Sequence, residues 1–163
     1  MALEIERLLD ETGWRLLDEL QQNARLSYTE LGQRVGLSLP AVTERIRRME
    51  EAGVITGYHA EVNLARLGLP VVAIIRLGNI GGQSCSGVVE EIGLIPEVLE
   101  CFRVIGSDSI VVKVAATSVD HLAFVIDQLS VYGIPSTSIV QSRALKRPVL
   151  REALDHAERE AGR

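Results

Sequence analysis

The first third of the chain carries apolar residues at the three- and four-residue spacing of amphipathic helices. This spacing predicts a first helix over roughly residues 10–22, with an apolar face made of Leu9, Trp14, Leu16, Leu17 and Leu20. Leu31 and Val35 form one face of a second predicted helix. A third helix is predicted over Ser38–Ala52, and its buried face comprises Val42, Ile46 and Met49.

Residues that start and stop helices frame the second and third helices. Ser27 and Glu30 have the spacing of a capping box, in which each caps the other's backbone amide. Gly36 supplies a turn with positive φ, and Ser38 is a further N-cap residue. Gly53 follows the third helix as a C′ glycine. Two helices joined by such a turn indicate a helix-turn-helix, whose second helix enters the major groove of DNA.

After Pro70 the pattern changes to short β-branched runs that predict strands. Strands are predicted at residues 71–77, 98–105, 110–115 and 137–142, and helices at residues 84–94 and 118–129. This βαββαβ order is that of the ferredoxin-like split unit. Because its two helices cover only one face of the sheet, we expect the apolar other face to be buried in a dimer.

The chain is therefore predicted to be an α+β protein with two domains. Residues 1–62 form a winged helix-turn-helix, in which residues 54–62 are a short strand or wing. Residues 63–69 are a linker, and residues 70–147 form the ferredoxin-like βαββαβ (αβ-sandwich) domain. Residues 148–163 are a C-terminal tail with a narrow apolar stripe that could form a helix, although a solvated tail is the favoured interpretation.

Composition favours an intracellular globular protein. The chain has 163 residues, of which 47% are hydrophobic, and no apolar run reaches the roughly 20 residues that span a membrane. The N-terminus is acidic and lacks the features of a signal peptide. Cys85 and Cys101 are isolated cysteines, which is typical of a reducing compartment. We expect a cytoplasmic, nucleoid-associated protein without a membrane partner.

Charge changes the picture, because nucleic-acid binding domains are usually basic. The net charge is −5, and residues 1–63 hold seven arginines against eleven acidic residues. Residues 34–48, however, hold four arginines against a single glutamate. We therefore expect a focused contact surface, with phosphates met by arginines and hydroxyls and bases read near the start of the third helix. The predicted contact residues are Tyr28, Thr29, Ser38, Pro40, Ala41, Thr43, Glu44, Arg45, Arg47 and Arg48.

Other chemistry finds little support in the sequence. His59, His121 and His156 lie far apart and lack metal-ligand spacing with either cysteine. The chain carries no nucleophile elbow, P-loop or dinucleotide fingerprint. We expect neither an enzyme nor a bound cofactor or metal. The alternative to a DNA-binding protein is a regulatory module that binds a small molecule and acts through protein contacts, which the acidic charge balance favours.

Motifs along almost the whole chain resemble the Lrp/AsnC family of leucine- and asparagine-responsive regulators. The N-terminal match comprises Leu9-Asp10, the stretch Arg25–Leu31, and the recognition-helix positions Gly36-Leu37-Ser38, Val42, Arg45 and Arg48. It continues through Gly53–Tyr58, Asn63 and Leu67-Gly68, then Pro96–Phe102 and Val104–Val114. The resemblance covers residues 3–147.

This resemblance implies a bacterial or archaeal regulator of transcription that binds double-stranded DNA. It implies a homodimer, assembling to an octamer, whose assembly or DNA affinity is modulated by a small effector such as an amino acid or related metabolite. The effector residues it implies lie in one loop and on the last strand, namely Gly106, Ser107, Asp108, Ser109, Thr137 and Ser138.

Two positions depart from the family pattern. Gly13 stands where the first helix commonly has Asp. The effector loop, commonly Gly-Asp-x-Asp-Tyr, is Gly106–Ile110 with serine at both usual aspartates and isoleucine for tyrosine. Asp108 offers a carboxylate one position away, which could bind the ammonium of an effector. These changes weaken the case for a standard α-amino-acid effector.

Overall fold

The computed structural model describes residue 5, residues 7–78 and residues 85–153. The chain divides into two compact units. The first combines residues 1–60 with residues 145–163, and the second comprises residues 61–144. We refer to them, after the functions that the sequence predicts, as the DNA-binding unit and the regulatory unit, and each is described by itself.

The three helices that the apolar spacing predicts are present in the described part of the DNA-binding unit. They are α1 at Glu11–Gln22, α2 at Tyr28–Val35 and α3 at Leu39–Glu51. Their facing apolar residues are almost fully inaccessible to solvent, and those of α3 are completely so. The core comprises Leu16, Leu20, Leu26, Leu31, Val35, Val42 and Ile46.

The predicted helix caps are present, with one qualification. Ser27 and Glu30 form the capping box in both directions. Gly36 ends α2 in the left-handed conformation, at φ 77°, where a residue with a Cβ would be strained. Gly53 follows α3 at φ 69°, and the next amide, that of Val54, donates to the carbonyl of Met49 at 2.8 Å. Ser38 occupies the N-cap position of α3, but its side chain makes no capping hydrogen bond.

The prediction of a strand at residues 54–62 is wrong for this chain. These residues are all described, and none is in a strand. Val54 and Ile55 are held instead by the carbonyl of Met49, while residues 56–62 are exposed. A strand exists only where a neighbouring strand accepts its hydrogen bonds, and none of the described strands pairs with this segment. The linker, by contrast, contains a 3₁₀ helix at Leu64–Leu67, capped by the Asn63 side chain.

The regulatory unit has the predicted βαββαβ order. Its elements are β1 at Val71–Gly78, α4 at Cys85–Ile92, β2 at Val98–Arg103, β3 at Asp108–Ala116, α5 at Val119–Ser130 and β4 at Ile134–Ile139. The four strands form one sheet in the order β2-β3-β1-β4, with antiparallel neighbours. Alternate residues of β1 and β3 pack with both helices in a core that includes Ile75, Leu77, Val88, Ile92, Ile110, Val112, Val114, Leu122, Val125 and Leu129.

Several predicted boundaries are corrected by the pairing register. The last strand, predicted at residues 137–142, runs from Ile134 to Ile139 because its partner β1 pairs Gly78 with Ile134 and Ala73 with Ile139. The second strand ends at Arg103, two residues early, and the third begins at Asp108 rather than residue 110. The predicted start of the helix at residue 84 and most of the loop at residues 78–82 lie outside the described residues.

One face of the sheet, which we call the open face, is not covered by the unit's helices. Register places there the alternate residues of the strands, among them Val72, Ile74, Arg76, Phe102, Val111 and Lys113. Ile74 and Val111 are only half-buried, and Phe102 is 49% exposed. Lys113 pairs with Glu100 across β3 and β2 at 2.5 Å. The open face thus combines apolar side chains with the Lys113–Glu100 ion pair and with Arg76, which is exposed.

The described part of the tail is attached to the DNA-binding unit. The Gln21 side chain of α1 bonds both backbone groups of Val149, accepting from its amide at 2.8 Å and donating to its carbonyl at 3.1 Å. Residues 151–153 are helical. The remainder of the predicted apolar stripe, Leu154, Ala157 and Ala161, lies outside the described residues.

Asp10 joins the start of α1 to α3. Its side chain accepts the amide hydrogen of Gly13 at 2.8 Å and so caps α1. Both terminal nitrogens of Arg45 donate to the same carboxylate, each at 2.8 Å. The hydrogen bond from Arg45 lowers the pKa of the Asp10 carboxyl, and this effect outweighs desolvation, which raises it. One carboxylate therefore serves as both helix cap and ion-pair partner.

A lowered pKa in the folded state means that Asp10 stabilises the fold above its unfolded pKa, and that this stabilisation is lost as the pH falls. We expect Asp10→Ala to reduce the free energy of unfolding at pH 7 by about 1–2 kcal/mol, from the lost cap and a partly exposed ion pair. Asp10→Asn keeps the capping oxygen and should cost less. The difference in the free energy of unfolding between the wild type and Asp10→Asn should shrink as the pH falls below about 4.

The free energy of unfolding of the DNA-binding unit can be measured by urea unfolding, followed by the fluorescence of Trp14, the one tryptophan of the chain. Asp18→Asn on the same helix is the matched control and should be nearly silent. If the difference in unfolding free energy between the wild type and Asp10→Asn is unchanged from pH 7 to pH 3, the ionised Asp10 carboxylate does not stabilise the fold as proposed.

Candidate DNA-binding surface and effector region

The third helix separates into a buried and an outward face. Val42, Ile46 and Met49 are inaccessible to solvent. Because the helical period is 3.6 residues, the residues between them point away from the core. The outward face comprises Leu39, Pro40, Thr43, Glu44, Arg47 and Arg48, all of them exposed. This is the surface that a helix-turn-helix presents to the major groove.

The other predicted contact residues surround the start of α3 or lie on α2. Ser38 is exposed, while Ala41 is half-buried beside the core. Thr29 is exposed in the first turn of α2, but Tyr28 is half-buried and packs against the core. The Thr43 hydroxyl donates to the carbonyl of Leu39 at 2.9 Å. The hydroxyl keeps its lone pairs available to accept hydrogen bonds.

Arg45 occupies a different position from its two neighbours. It is half-buried and bonded through both terminal nitrogens to Asp10. The carboxylate neutralises this arginine and turns its planar head towards the start of α1. Arg34, also counted in the basic window, pairs with Glu19 at 2.5 Å. Two of the four arginines at residues 34–48, Arg34 and Arg45, therefore form ion pairs within the DNA-binding unit.

Arg47 is bonded to two carboxylates on its own helix. Glu44 accepts from Nε at 3.0 Å and from Nη2 at 2.8 Å. Glu51 accepts from Nη1. Glu44, followed by Glu51, raises the pKa of the Arg47 guanidinium above its usual value. In return, Arg47 lowers the pKa of the Glu44 carboxyl.

Several residues near this surface were missed by the sequence analysis. Tyr58 donates its hydroxyl hydrogen to Glu50 at 2.9 Å. Burial, together with the neighbouring Glu50 carboxylate, raises the pKa of the Tyr58 hydroxyl.

A cleft of about 460 Å³ lies between α1 and residues 54–59. It is lined by apolar residues including Leu9, Trp14 and Leu17, and by Val149 of the tail. Asp10 had a readable signal, because an aspartate directly before an apolar-periodic segment is a typical N-cap.

The predicted effector residues fall into two groups on the regulatory unit. Gly106 and Ser107 are exposed in the turn between β2 and β3. Asp108 and Ser109 are half-buried at the start of β3, and Asp108 lies opposite Gly78. The Val104 amide donates to the carbonyl of Ser109 at 3.0 Å and closes the hairpin.

Thr137 and Ser138 lie on β4, an edge strand, and both are exposed. They pair with Ile75 and Ile74, three and four residues along β1 from the Gly78 position that faces Asp108. At about 3.4 Å per residue, the separation along the strands is roughly 10 Å for Thr137 and roughly 14 Å for Ser138, with β1 in between. One chain therefore does not bring the two groups together. Ser138 instead lies 3.5 Å from a terminal nitrogen of Arg76.

Comparison with known proteins assigns both units. A family described as winged helix-turn-helix DNA-binding matches residues 9–56. A family described as the Lrp/AsnC ligand binding domain matches residues 71–150. The HTH-type transcriptional regulator YezC of Bacillus subtilis is 38% identical over 140 residues, which is 86% of this chain and 99% of YezC.

Solved structures agree over most of the chain. The structure of LrpC from Bacillus subtilis superposes with a TM-score of 0.80 at 31% identity, covering 85% of this chain and 99% of LrpC. A transcriptional regulator of Neisseria meningitidis in complex with L-methionine gives a TM-score of 0.79 at 28% identity, covering 90% of this chain and 99% of that one. The chain belongs to the Lrp/AsnC family, and it is a DNA-binding transcriptional regulator that carries the ligand-binding domain of that family.

Proposed function

We propose that two copies of this chain place α3 in successive major grooves of DNA, one helical turn or a multiple of it apart. The observation that carries this proposal is the division of α3, whose apolar face is fully buried while Pro40, Thr43, Glu44, Arg47 and Arg48 remain exposed. Tyr28, Thr29 and Arg48 contact phosphates, and the first turns of α3 read bases. Binding to the nucleoid places the protein in the cytoplasm.

We further propose that the copies meet through the open face of the sheet. Half-buried Ile74 and Val111 and exposed Phe102 are apolar side chains whose burial would stabilise an interface. A face that packs on an identical face gives a two-fold dimer, which matches a two-fold DNA site. Dimers assemble further, to an octamer.

The effector is an amino acid or a related metabolite bound by the regulatory unit. The L-methionine complex of the Neisseria meningitidis regulator supports this class of ligand. Asp108 is the carboxylate that would bind an ammonium group, while Ser107, Ser109, Thr137 and Ser138 offer hydroxyls for a carboxylate. Since Asp108 and Ser138 are separated within one chain, we place the complete site where copies meet.

Arg48→Ala tests the docking of α3. If Arg48 neutralises one phosphate, we expect weaker binding to all sequences and a salt slope smaller by about 0.9. Gel-shift titrations of the full chain at several salt concentrations measure both quantities. Arg66→Ala, on the 3₁₀ helix of the regulatory unit, is the matched control. Wild-type affinity and slope in Arg48→Ala would refute the contact.

A thermal-shift screen with the standard amino acids and related metabolites tests the effector site. A ligand that binds only the folded state raises Tm with concentration, and at a hundred times its Kd it adds about 2.7 kcal/mol. We expect Asp108→Asn and Ser138→Ala to abolish the response to the best ligand, while Asp127→Asn on α5 keeps it. A response retained in both site variants would place the effector elsewhere.

Val111→Asp tests the dimer. A carboxylate in the middle of the open face would be buried without a partner in the interface, which is strongly unfavourable. We expect light scattering to show a mass that falls towards that of a single chain, or a dimer dissociation constant raised by orders of magnitude. Val131→Asp, where the side chain is 68% exposed beyond α5, should leave the mass unchanged. An unaltered mass in Val111→Asp would exclude this face.

A further inference from the structure

Arg47 is an exposed side chain of α3 that is bonded to two carboxylates of the same helix. Glu44 lies one turn before it and Glu51 one turn after it, at spacings of three and four residues. All three side chains remain more than half exposed. Such pairs on a helix surface contribute only a few tenths of a kcal/mol each. Their main effect is therefore on where the guanidinium points.

The hydrogen bonds to Glu44 and Glu51 leave two N–H groups of Arg47 available. A guanidinium has five N–H groups in a fixed planar fork. Glu44 occupies Nε and one N–H of Nη2, and Glu51 occupies one N–H of Nη1. The two remaining N–H groups are divided between the two terminal nitrogens. A pair of donors from the two terminal nitrogens of an arginine can bind the O6 and N7 acceptors of guanine.

Charge argues against the other partner that an arginine commonly binds in DNA. At hydrogen-bond distance, Arg47 contributes one positive charge, while Glu44 and Glu51 contribute two negative charges, and Arg48 adds a more distant positive charge that also acts on Glu44. A phosphate would bring a further negative charge beside these carboxylates, and like charges at such distances repel. A base edge carries no net charge. The cluster is therefore better suited to a base than to the backbone.

We propose that Arg47 reads a guanine in the major groove, and that Glu44 and Glu51 are positioning residues that hold its guanidinium for this contact. Glu44 acts through Arg47 rather than by reading a base itself. Arg47 shares the outward face of α3 with Pro40 and Thr43, one helical turn apart from each other. A helix lying along the groove presents such a series to neighbouring bases.

This inference rests on the proposed docking of α3, and the two can fail separately. If Arg48→Ala weakens binding but Arg47 variants keep guanine preference, the docking stands and the assignment of Arg47 fails. If neither variant changes binding, the docking itself fails.

The experiment is a binding selection from a randomised duplex library with the full wild-type chain, followed by titration of the selected site. The wild type should prefer guanine at one position in each half-site. Arg47→Lys keeps the charge but loses the planar fork. We expect it to lose the preference at that position, roughly 5- to 150-fold, with the salt slope unchanged. Circular dichroism establishes that the variant is folded.

Variants of the two positioning residues, Glu44 and Glu51, provide a second test, in which overall DNA affinity and guanine preference should change in opposite directions. Glu44→Gln and Glu51→Gln remove negative charge facing DNA, so binding to random-sequence duplex should tighten while the guanine preference falls. A purely structural role in α3 would not produce both changes together. Glu90→Gln on α4 is the matched control and should change neither quantity.

Three results would overturn the proposal. One is a wild-type site without a guanine preference that depends on Arg47. Another is an Arg47→Lys variant that keeps the full preference, which a point charge on phosphate would allow. The last is an Arg47→Ala variant that weakens binding to all sequences equally and lowers the salt slope by about 0.9, which identifies a phosphate contact.

Discussion

The DNA-binding unit depends on the complete burial of one face of α3. Val42, Ile46 and Met49 have no exposed surface, and burying an aliphatic side chain contributes about 1.5–3 kcal/mol. Once these three positions are fixed inward, the helical period fixes the direction of every other residue on α3. The capping box of α2 and the left-handed Gly36 set the angle at which that buried face meets its partners. The surface offered to DNA is therefore determined by the core.

The same constraint gives three neighbouring arginines three different surroundings. Arg45 is adjacent to the buried Ile46 and is bonded to Asp10 at the edge of the core. Arg47 lies outward between Glu44 and Glu51, and Arg48 is exposed on the next position. A count of positive charges treats these residues as equal. Their partners show that only part of the basic window acts as a uniform positive surface, which agrees with the acidic composition of the chain.

Caps and apolar spacing within a few residues predicted the helices well. The strand boundaries and the ion pairs depend on partners distant in the sequence, and these the sequence did not predict. The caps at Ser27 and Gly53 and the apolar faces of α1–α3 depend on residues within a few positions of each other. The strand predicted at residues 54–62 fails, and β4 lies three residues earlier than predicted, because a strand is defined by a distant partner. The same holds for the ion pairs: Asp10 and Arg45 lie 35 residues apart, and no spacing rule connects them. For the effector residues, the sequence predicted the loop or strand on which each lies, but it did not predict the distance between the two groups.

That distance has a consequence for the regulatory unit. Asp108 faces Gly78 at one end of β1, whereas Ser138 faces Ile74, and β1 lies between the two strands that carry them. An amino acid spans less than the roughly 14 Å between these rows, so its ammonium and carboxylate cannot both be bound by these residues of one chain. Under the proposed assembly, ligand binding requires groups from more than one copy. Effector affinity would then depend on the oligomeric state, and by reciprocity the oligomeric state would depend on the effector.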